Sequence, residues 1–339
     1  MKELIKLVLI MSISALVIGC SKSSNSLTGA GSSFIYPALS IWARDYAQQI
    51  GTRINYQAIG SSGGLQQLYS RTVDFAASDM PLTLTDLKKH QLQQFPMITG
   101  GIVMAVNIPR IKTNSLVLSG SVLEKIYMGD IKYWDNTQIK NLNPKLNLPH
   151  HIIITVHRAD GSGTTFNFTN YLSKVSTDWR SHIGANTIVA WPGDGIGAKG
   201  NAGVAAQIMQ TPYAIGYVGF AYALQNHMVI IKMKNQYGRV VMATNASFAA
   251  AAQNAKWRAS NGFYSILTNQ PGAKSWPIVA TTFILVPQKA KTPKIKQQAF
   301  KFFEWCYKHG AVSATKLDFV AIPSIVYKNI IKTFNNNNK

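Results

Sequence analysis

Glycines and hydroxyl residues stand together at three points of the sequence, in each case just before a predicted helix. These turns cover residues 29–34, 60–64 and 161–165. The first N–H groups of a helix lack intrahelical partners and carry partial positive charge, glycine lets a ligand approach the backbone, and Ser or Thr adds a donor. Each turn alone also fits an ordinary capped helix start. Three of them together indicate a site for an anion.

The third turn brings a guanidinium with it. Arg158 and Asp160 come between a predicted strand at 152–156 and the turn itself. Arginine offers paired planar donors that match a tetrahedral oxyanion, and a carboxylate two residues away can hold it in one rotamer. The alternative interpretation of this pair is an ordinary surface salt bridge beside a helix cap.

The segments around these turns alternate between apolar strands and amphipathic helices, which is typical of an α/β protein. The first helix has Leu39, Trp42, Tyr46 and Ile50 on one face and is expected to end at Gly51. The other predicted elements are strands at 53–59, 73–77, 102–106, 152–156 and 281–286, a helix opening at Leu65, a helix with a Ser121/Glu124 capping box, and a long helix with Ala299, Phe302, Phe303 and Cys306 on one face.

The beginning of the chain is typical of an export signal. Residues 1–19 carry two lysines and then an apolar run that is too short to span a bilayer comfortably. The run ends at Val17-Ile18-Gly19-Cys20, which resembles a bacterial lipobox, and polar residues follow. We therefore expect a signal peptide at 1–19, a lipidated Cys20 and a flexible tether at 20–26, with the protein in the periplasm or at the cell surface. An uncleaved membrane anchor with an incidental cysteine is the alternative.

The composition excludes several classes of protein. The 339 residues are 47% hydrophobic, which is enough for a large core and two domains. With Cys20 lipidated, Cys306 has no partner for an intramolecular disulfide or a cysteine metal site, so we expect a buried apolar role for it. No Walker A motif occurs, so nucleotide hydrolysis is not predicted, and the sequence calls for no cofactor or metal.

The charge is strongly basic. Lysine and arginine total 34 against 13 acidic residues, a net charge of +21. The positive residues are scattered along the chain rather than gathered with stacking aromatics, so we do not predict nucleic acid as a partner. The excess is interpreted as a solvated surface that attracts small anions and anionic lipid.

A series of short motifs, spread from Leu27 to the last helix, occurs together in one known family. They are Leu27-Thr-Gly-Ala-Gly, Ile59-Gly-Ser-Ser-Gly-Gly, Asp74-Phe-Ala-Ala-Ser-Asp, Arg158-Ala-Asp-Gly-Ser-Gly-Thr, Lys199-Gly-Asn-Ala-Gly-Val, Ile215-Gly-Tyr-Val and Trp276-Pro-Ile. In these motifs the chain resembles the PstS family, the phosphate-binding proteins of Pst-type ABC importers.

The resemblance implies a type II periplasmic binding fold, in which two α/β lobes joined by crossing strands close over one phosphate ion. The first lobe would comprise residues 27–103 and 280–333, the second lobe residues 104–279, and an Asn-rich tail residues 334–339. The protein would be a monomer that binds inorganic phosphate, delivers it to the permease and ATPase subunits of an ABC importer, and performs no enzymatic reaction.

The resemblance also implies a ligand set. Its members in this sequence are Ser33, Phe34, Ser61, Asp79, Arg158, Ser162, Gly163 and Thr164, with Asp160 in support. Serine at position 33 replaces a threonine that is familiar in the family, but it keeps the hydroxyl donor. Asp79 can accept a hydrogen bond from a protonated phosphate oxygen, and sulfate has no such proton at neutral pH. Asp79 is therefore expected to set the specificity.

Two other functions fit parts of the sequence. Gly60-Ser61-Ser62-Gly63-Gly64 matches the nucleophile elbow of serine hydrolases, with Ser62 as the nucleophile. That function needs an acid and then a histidine later in the chain, and the histidines at 157, 182, 227 and 309 lie in no recognisable motif. The second alternative is a binding protein for a different tetrahedral oxyanion.

Overall fold

A computed structural model describes residues 26–289 and 292–336 of the chain. The predicted signal peptide, Cys20 and most of the tether lie outside the described residues. The helices are α1 (Tyr36–Ile50), α2 (Ser61–Tyr69), α3 (Leu84–His90), α4 (Gly120–Met128), α5 (Thr137–Leu142), α6 (Gly163–Val175), α7 (Thr177–His182), α8 (Gly200–Gln210), α9 (Phe220–Gln225), α10 (Asn245–Ala252), α11 (Pro293–His309), α12 (Ala311–Lys316) and α13 (Ser324–Asn336). None of these described helices is long and apolar enough to cross a membrane.

The strands alternate with the helices, as expected for an α/β protein. They are β1 (Ser26–Gly31), β2 (Arg53–Gln57), β3 (Phe75–Ser78), β4 (Leu92–Val106), β5 (Val117–Ser119), β6 (Ile154–Arg158), β7 (Ile196–Ala198), β8 (Ala214–Gly219), β9 (Val229–Ile230), β10 (Lys232–Lys234), β11 (Val240–Val241), β12 (Val279–Pro287) and β13 (Val320–Ala321). Strands β5, β10 and β11 form a small separate sheet.

One long strand joins the two lobes. The described residues form a ten-stranded sheet with the order β2-β1-β3-β12-β4-β8-β6-β7, and β9 and β13 also pair with β4. Residues 92–101 of β4 pair with β12, whereas residues 102–106 pair with β8. We call the half of the sheet on the β12 side the first lobe and the half on the β8 side the second lobe. Strand β4 therefore crosses from one lobe to the other.

The first lobe contains a strand from the C-terminal part of the chain. Strand β12 lies between β3 and β4 and runs antiparallel to both, whereas β1, β2 and β3 are parallel to one another. In the second lobe β6 is parallel to β7 and β8. This arrangement confirms the predicted two-lobed α/β fold, and it brings the carboxyl ends of the parallel strands toward the other lobe.

Several predicted elements are confirmed, with shifted ends. Helix α1 buries Leu39, Trp42 and Tyr46 and is capped by Gly51 with φ 76°, but Ile50 is exposed at its last turn. The strand predicted at 53–59 ends at Gln57, the strand predicted at 73–77 is Phe75–Ser78, and the strand predicted at 152–156 is Ile154–Arg158. Strand ends shift in this way because the apolar pattern marks the buried centre of a strand better than its limits.

Two helix starts were predicted wrongly. The capping box of Ser121 and Glu124 does not form, because the cap of α4 is Ser119, two residues before Ser121, and its Oγ accepts from Val122 N at 3.3 Å. Ser119 is extended at the end of β5, so the chain already has the geometry that a cap requires. Helix α2 opens at Ser61 rather than Leu65, which makes residues 61–64 its first turn.

Strand β4 is also longer than the predicted strand at 102–106. Its added part contains Pro96, Gly100 and Gly101, which are poor strand formers. Proline is tolerated because the pairing with β12 shifts register here: Phe283 pairs with Pro96 and Thr282 with Ile98, so Met97 is an extra residue. Proline in sheets is found at such bulges, since it has no N–H to donate.

The aromatic face of α11 closes the first lobe, as predicted. The Phe303 ring lies 5.1 Å from the Phe75 ring and 5.6 Å from the Phe95 ring, in edge-to-face contacts. Cys306 on the same face is a buried free cysteine, and burial raises the pKa of its thiol. This confirms the apolar environment expected for Cys306.

We expect Phe303→Ala to lower the free energy of unfolding by about 3 to 5 kcal/mol, because it leaves a cavity between α11 and the sheet. The measurement is urea denaturation followed by circular dichroism. The control is Val312→Ala on α12, a side chain that is 68% exposed, which should change stability by less than about 0.5 kcal/mol. Equal effects of the two substitutions would contradict the assigned packing.

Candidate functional site

The three turns singled out in the sequence meet between the lobes. The turn before α2 belongs to the first lobe and contacts the turn before α6 in the second lobe: Ser62 N donates to Gly161 O at 3.0 Å, and Gly163 N donates to Ser61 Oγ at 3.1 Å. The turn after β1 contacts the start of α8, where Asn201 N donates to Ser33 Oγ at 3.1 Å. The described conformation is therefore one in which the lobes are in contact.

Gly60 allows the lobes to come this close. It precedes α2 with φ 89°, a backbone conformation that favours glycine. A Cβ atom at this position would lie 2.3 Å from Asp160 Oδ2 and 2.7 Å from Gly161 O of the second lobe. Any other residue at position 60 would push the lobes apart.

Ser61 is fixed as a donor. Its Oγ accepts a hydrogen bond from Asp79 N at 3.2 Å and another from Gly163 N at 3.1 Å. A hydroxyl has two lone pairs and one hydrogen, so the two backbone donors leave the hydrogen free to be donated elsewhere. The side chain is completely buried. Such a hydroxyl suits a ligand that accepts hydrogen bonds.

Asp79 is a buried acceptor at the end of β3. Its Oδ1 accepts from Thr282 Oγ1 at 2.6 Å and its Oδ2 accepts from Ser32 Oγ at 2.7 Å. Burial raises the pKa of Asp79 to about 6, although the two hydroxyls and the positive charge of Arg158 act to lower it. A carboxylate offers about four lone-pair sites, so Asp79 retains capacity for a ligand proton.

Arg158 is held in one orientation by Asp160. Its Nε donates to Asp160 Oδ1 at 2.7 Å, and its Nη2 donates to Asp160 Oδ2. Burial acts to raise the pKa of Asp160, but the hydrogen bonds and charge of Arg158 outweigh it and lower that pKa. The remaining Nη1 points toward Thr164 Oγ1 at 3.4 Å. The pair is buried between the lobes, so the surface salt bridge considered from the sequence is not what forms.

The other predicted residues lie close by and are hydrogen-bonded to neighbouring residues. Ser162 caps α6, since its Oγ accepts from Thr165 N at 3.1 Å. Gly163 N is the donor to Ser61 described above. Phe34 N donates to Ser32 Oγ at 3.0 Å, and the Phe34 ring packs against the Phe319 ring at 5.6 Å. The aromatic ring therefore belongs to the core beside the site rather than to the site itself.

Comparison with known proteins identifies the family. Residues 20–308 match the model of the PBP superfamily domain. The phosphate-binding protein PstS of Haemophilus influenzae is 49% identical over 307 residues, which cover 91% of this chain and 92% of that protein. The PstS protein of Pasteurella multocida is 48% identical, with 91% of this chain and 89% of that protein covered. The chain belongs to the PstS family.

The fold is shared with solved structures as well. A crystal structure of a phosphate-binding protein from Stenotrophomonas maltophilia superimposes with a TM-score of 0.69 at 18% identity, covering 90% of this chain and 92% of that chain. This agreement confirms the periplasmic binding fold that the motifs implied.

The hydrolase geometry does not form in this PstS family member. Ser62 Oγ donates to Thr187 Oγ1 at 3.0 Å. Across residues 26–289 and 292–336, no hydrogen bond joins Ser62 to a histidine. Because a serine nucleophile needs a base within hydrogen-bond reach, the nucleophile-elbow interpretation is not favoured.

Several residues that shape the site were not assigned from the sequence. Ser32 and Thr282 hold Asp79, and Asn167 Nδ2 donates to Asp79 O at 2.8 Å across the lobes. Asn201 lies in the Lys199-Gly-Asn motif, where the glycine before a helix repeats the pattern of the other turns. That pattern was a usable signal for Asn201. Thr282 gave none, because a threonine inside a buried strand is ordinary.

We expect Gly60→Ala to separate the lobes. Small-angle X-ray scattering in phosphate buffer should show a larger radius of gyration than for the unmodified protein, because the new Cβ collides with Asp160 and Gly161. Gly51→Ala is the matched control: it has φ 76° but no atom within 4 Å of a new Cβ. It should cost about 1 kcal/mol of stability without changing the radius. An unchanged radius for Gly60→Ala would contradict the described closure.

The pKa of Asp79 predicts how stability depends on pH. The unfolded value is 3.8 and the folded value about 6, so the carboxyl is protonated in both states only when the pH is well below 3.8. As the pH rises from 4 to 6 the unfolded chain loses this proton first, which favours unfolding. Relative to Asp79→Asn, the unmodified protein should lose about 3 kcal/mol of unfolding free energy by pH 7. Urea denaturation of both proteins from pH 4 to 7 measures this, and a constant difference would contradict it.

Proposed function

We propose that this protein binds inorganic phosphate outside the cytoplasmic membrane and delivers it to an ABC-type importer. The relatives at 48–49% identity are named as phosphate-binding PstS proteins. The observation that carries the proposal is the contact of Ser61 in the first lobe with Gly163 in the second lobe, beside Arg158 and Asp79. An ion held there would contact both lobes at once, as a binding protein that closes over its ligand requires.

The proposed ligand groups are those expected from the family. They are Ser33, Phe34, Ser61, Asp79, Arg158, Ser162, Gly163 and Thr164, with Asp160 holding the guanidinium. Hydrogen bonds to charged groups contribute about 1.5 to 3 kcal/mol each, and desolvation of the anion and closure of the lobes offset much of their sum. The starts of α2, α6 and α8 contact one another through Ser61, Gly163, Thr164 and Asn201, and they would add their partial positive charge to the site.

Asp79 explains why phosphate would be preferred over sulfate. Phosphate carries a proton at neutral pH, and Asp79 would accept it as one more hydrogen bond. A sulfate oxygen in the same place would face a carboxylate oxygen with no hydrogen between them, out of reach of water. Sites built around such a hydrogen bond reject an analogue that lacks it by roughly 10⁴ to 10⁵. Arsenate, which is protonated like phosphate, would be accepted.

The pairing of the strands supports the proposed lobe boundaries. We assign residues 27–103 and 280–333 to the first lobe and 104–279 to the second. The change of partner along β4, between Gly101 and Ile102, supports the first boundary, and the start of β12 at Val279 supports the second. The cleft would open and close about these crossing segments.

The remaining parts of the proposal concern the surroundings of the protein. It would be exported through the signal at 1–19, lipid-anchored at Cys20, and monomeric, and its partners would be the permease and ATPase subunits of the importer. It would act by binding and release alone, without a catalytic step. Among the alternatives kept from the sequence, a different tetrahedral oxyanion is separated from phosphate by the following measurement.

The test is titration calorimetry on ligand-stripped protein with phosphate, arsenate and sulfate, repeated with Asp79→Asn. We expect phosphate and arsenate to bind and sulfate to give no measurable heat. An asparagine can donate to a sulfate oxygen, so Asp79→Asn should narrow the ratio of phosphate to sulfate affinity by at least about 100-fold. Asp45→Asn, at the surface beside Arg44, should leave the ratio unchanged. Tight sulfate binding by the unmodified protein would refute the role of Asp79.

A further inference from the structure

The side chain of Asn201 has its orientation set by the backbone. It lies at the second position of α8 and is completely buried. Its Oδ1 accepts from Gly219 N at 2.8 Å. Because a backbone N–H can only donate, the amide oxygen must be the atom that faces Gly219. The amide nitrogen therefore faces the opposite way, toward the first lobe.

That nitrogen completes the hydrogen bonding of Ser33. Asn201 Nδ2 donates to Ser33 Oγ at 2.9 Å, and Asn201 N donates to the same oxygen at 3.1 Å. Both lone pairs of the hydroxyl are then occupied by donors from the second lobe. Its hydrogen must point elsewhere, and Ser33 can act toward a ligand as a donor.

The hydroxyl of Thr164 also accepts hydrogen bonds from Asn201 and a second donor. Asn201 Nδ2 lies 3.4 Å from Thr164 Oγ1, and Arg158 Nη1 donates to that oxygen at 3.4 Å. One amide group thus faces a hydroxyl of each lobe. Since Asn201 gives hydrogens to both, each keeps its own for another acceptor.

Because residue 33 is a serine, its hydroxyl needs neighbouring donors to fix its orientation. A threonine has a methyl group that restricts χ1, whereas a serine hydroxyl changes rotamer more easily. A free hydroxyl can also turn its lone pair toward the proton of a phosphate ion. It would then act as an acceptor, and the ion could bind in more than one orientation. Asn201 removes both freedoms, and it does so only when the lobes are together.

We infer that Asn201 is a positioning residue that turns the hydroxyl hydrogen of Ser33 toward the bound anion and couples this orientation to lobe closure. The inference rests on the proposed phosphate site. It assigns Asn201 no direct contact with the ligand, so its whole effect on affinity must pass through the hydroxyls it holds, mainly that of Ser33 at the shorter distance.

The test is a double-mutant cycle in which phosphate affinity is measured for the unmodified full-length protein, Asn201→Ala, Ser33→Ala and the double variant. Asn201→Ala should lower the affinity by about 10- to 100-fold, the range for a hydrogen bond to a charged group. In the Ser33→Ala background the same change should cost less than about 3-fold, because its target is already absent. Gln207→Ala is the control: this amide on the same helix bonds Thr211, and its loss should leave phosphate affinity unchanged.

The cycle separates positioning from general damage. Loss of the Asn201 bond to Gly219 N–H occurs in both backgrounds and therefore cancels. Equal losses in the two backgrounds would overturn the role of Asn201 while leaving phosphate binding intact. Failure of the unmodified protein to bind phosphate would instead refute the proposed function and this inference with it. If thermal unfolding shows that Asn201→Ala does not fold, the same cycle with Asn201→Ser, which keeps a polar group near Gly219, is judged by the same criterion.

Discussion

The hydrogen bond from Gly163 N to Ser61 Oγ crosses between the lobes, and the other features of the site depend on it. It requires Gly60 with its left-handed backbone, because any Cβ there would keep the turns apart. It also uses up the acceptor capacity of Ser61, since Asp79 N takes the other lone pair. It is one of several hydrogen bonds that join the lobes, and together with the bond from Asp79 N it decides which way the Ser61 hydroxyl hydrogen points. Closure of the cleft and the donor role of the Ser61 hydroxyl therefore depend on the same hydrogen bond.

The cleft has no excess of positive charge, in contrast to the surface. The chain carries a net charge of +21, but the buried Arg158 is paired with Asp160, and Asp79 adds a further acid. The attraction for an anion at close range therefore comes mostly from N–H and O–H dipoles and from helix starts, which carry no protons that titrate near neutrality. The distributed surface charge acts over longer distances, where it raises the local concentration of small anions.

Much of this architecture could be predicted from the sequence. The apolar faces of α1 and α11, five of the strands and the glycine-hydroxyl turns are local patterns that were found, whereas β1 and the buried β8 were not predicted as strands. The wrong predictions concerned features that depend on other parts of the chain. Strand β4 continues through Pro96 because a bulge against β12 accommodates it, and α4 starts at Gly120 because β5 delivers Ser119 in an extended conformation. The bond between Asn201 and Ser33 joins residues 168 positions apart, which no local pattern can reveal.

The place of β12 in the sheet governs the order in which the molecule can fold. Asp79 accepts a hydrogen bond from Thr282, which lies 203 residues further along the chain. Until β12 is in place, β3 and β4 have no strand between them. Contacts of such long range form slowly, because a large loop must be closed first. A chain that stops short of β12 would leave two unpaired strand edges, which invite aggregation. Synthesis of the last fifth of the protein thus completes both the first lobe and the hydrogen bonding of Asp79.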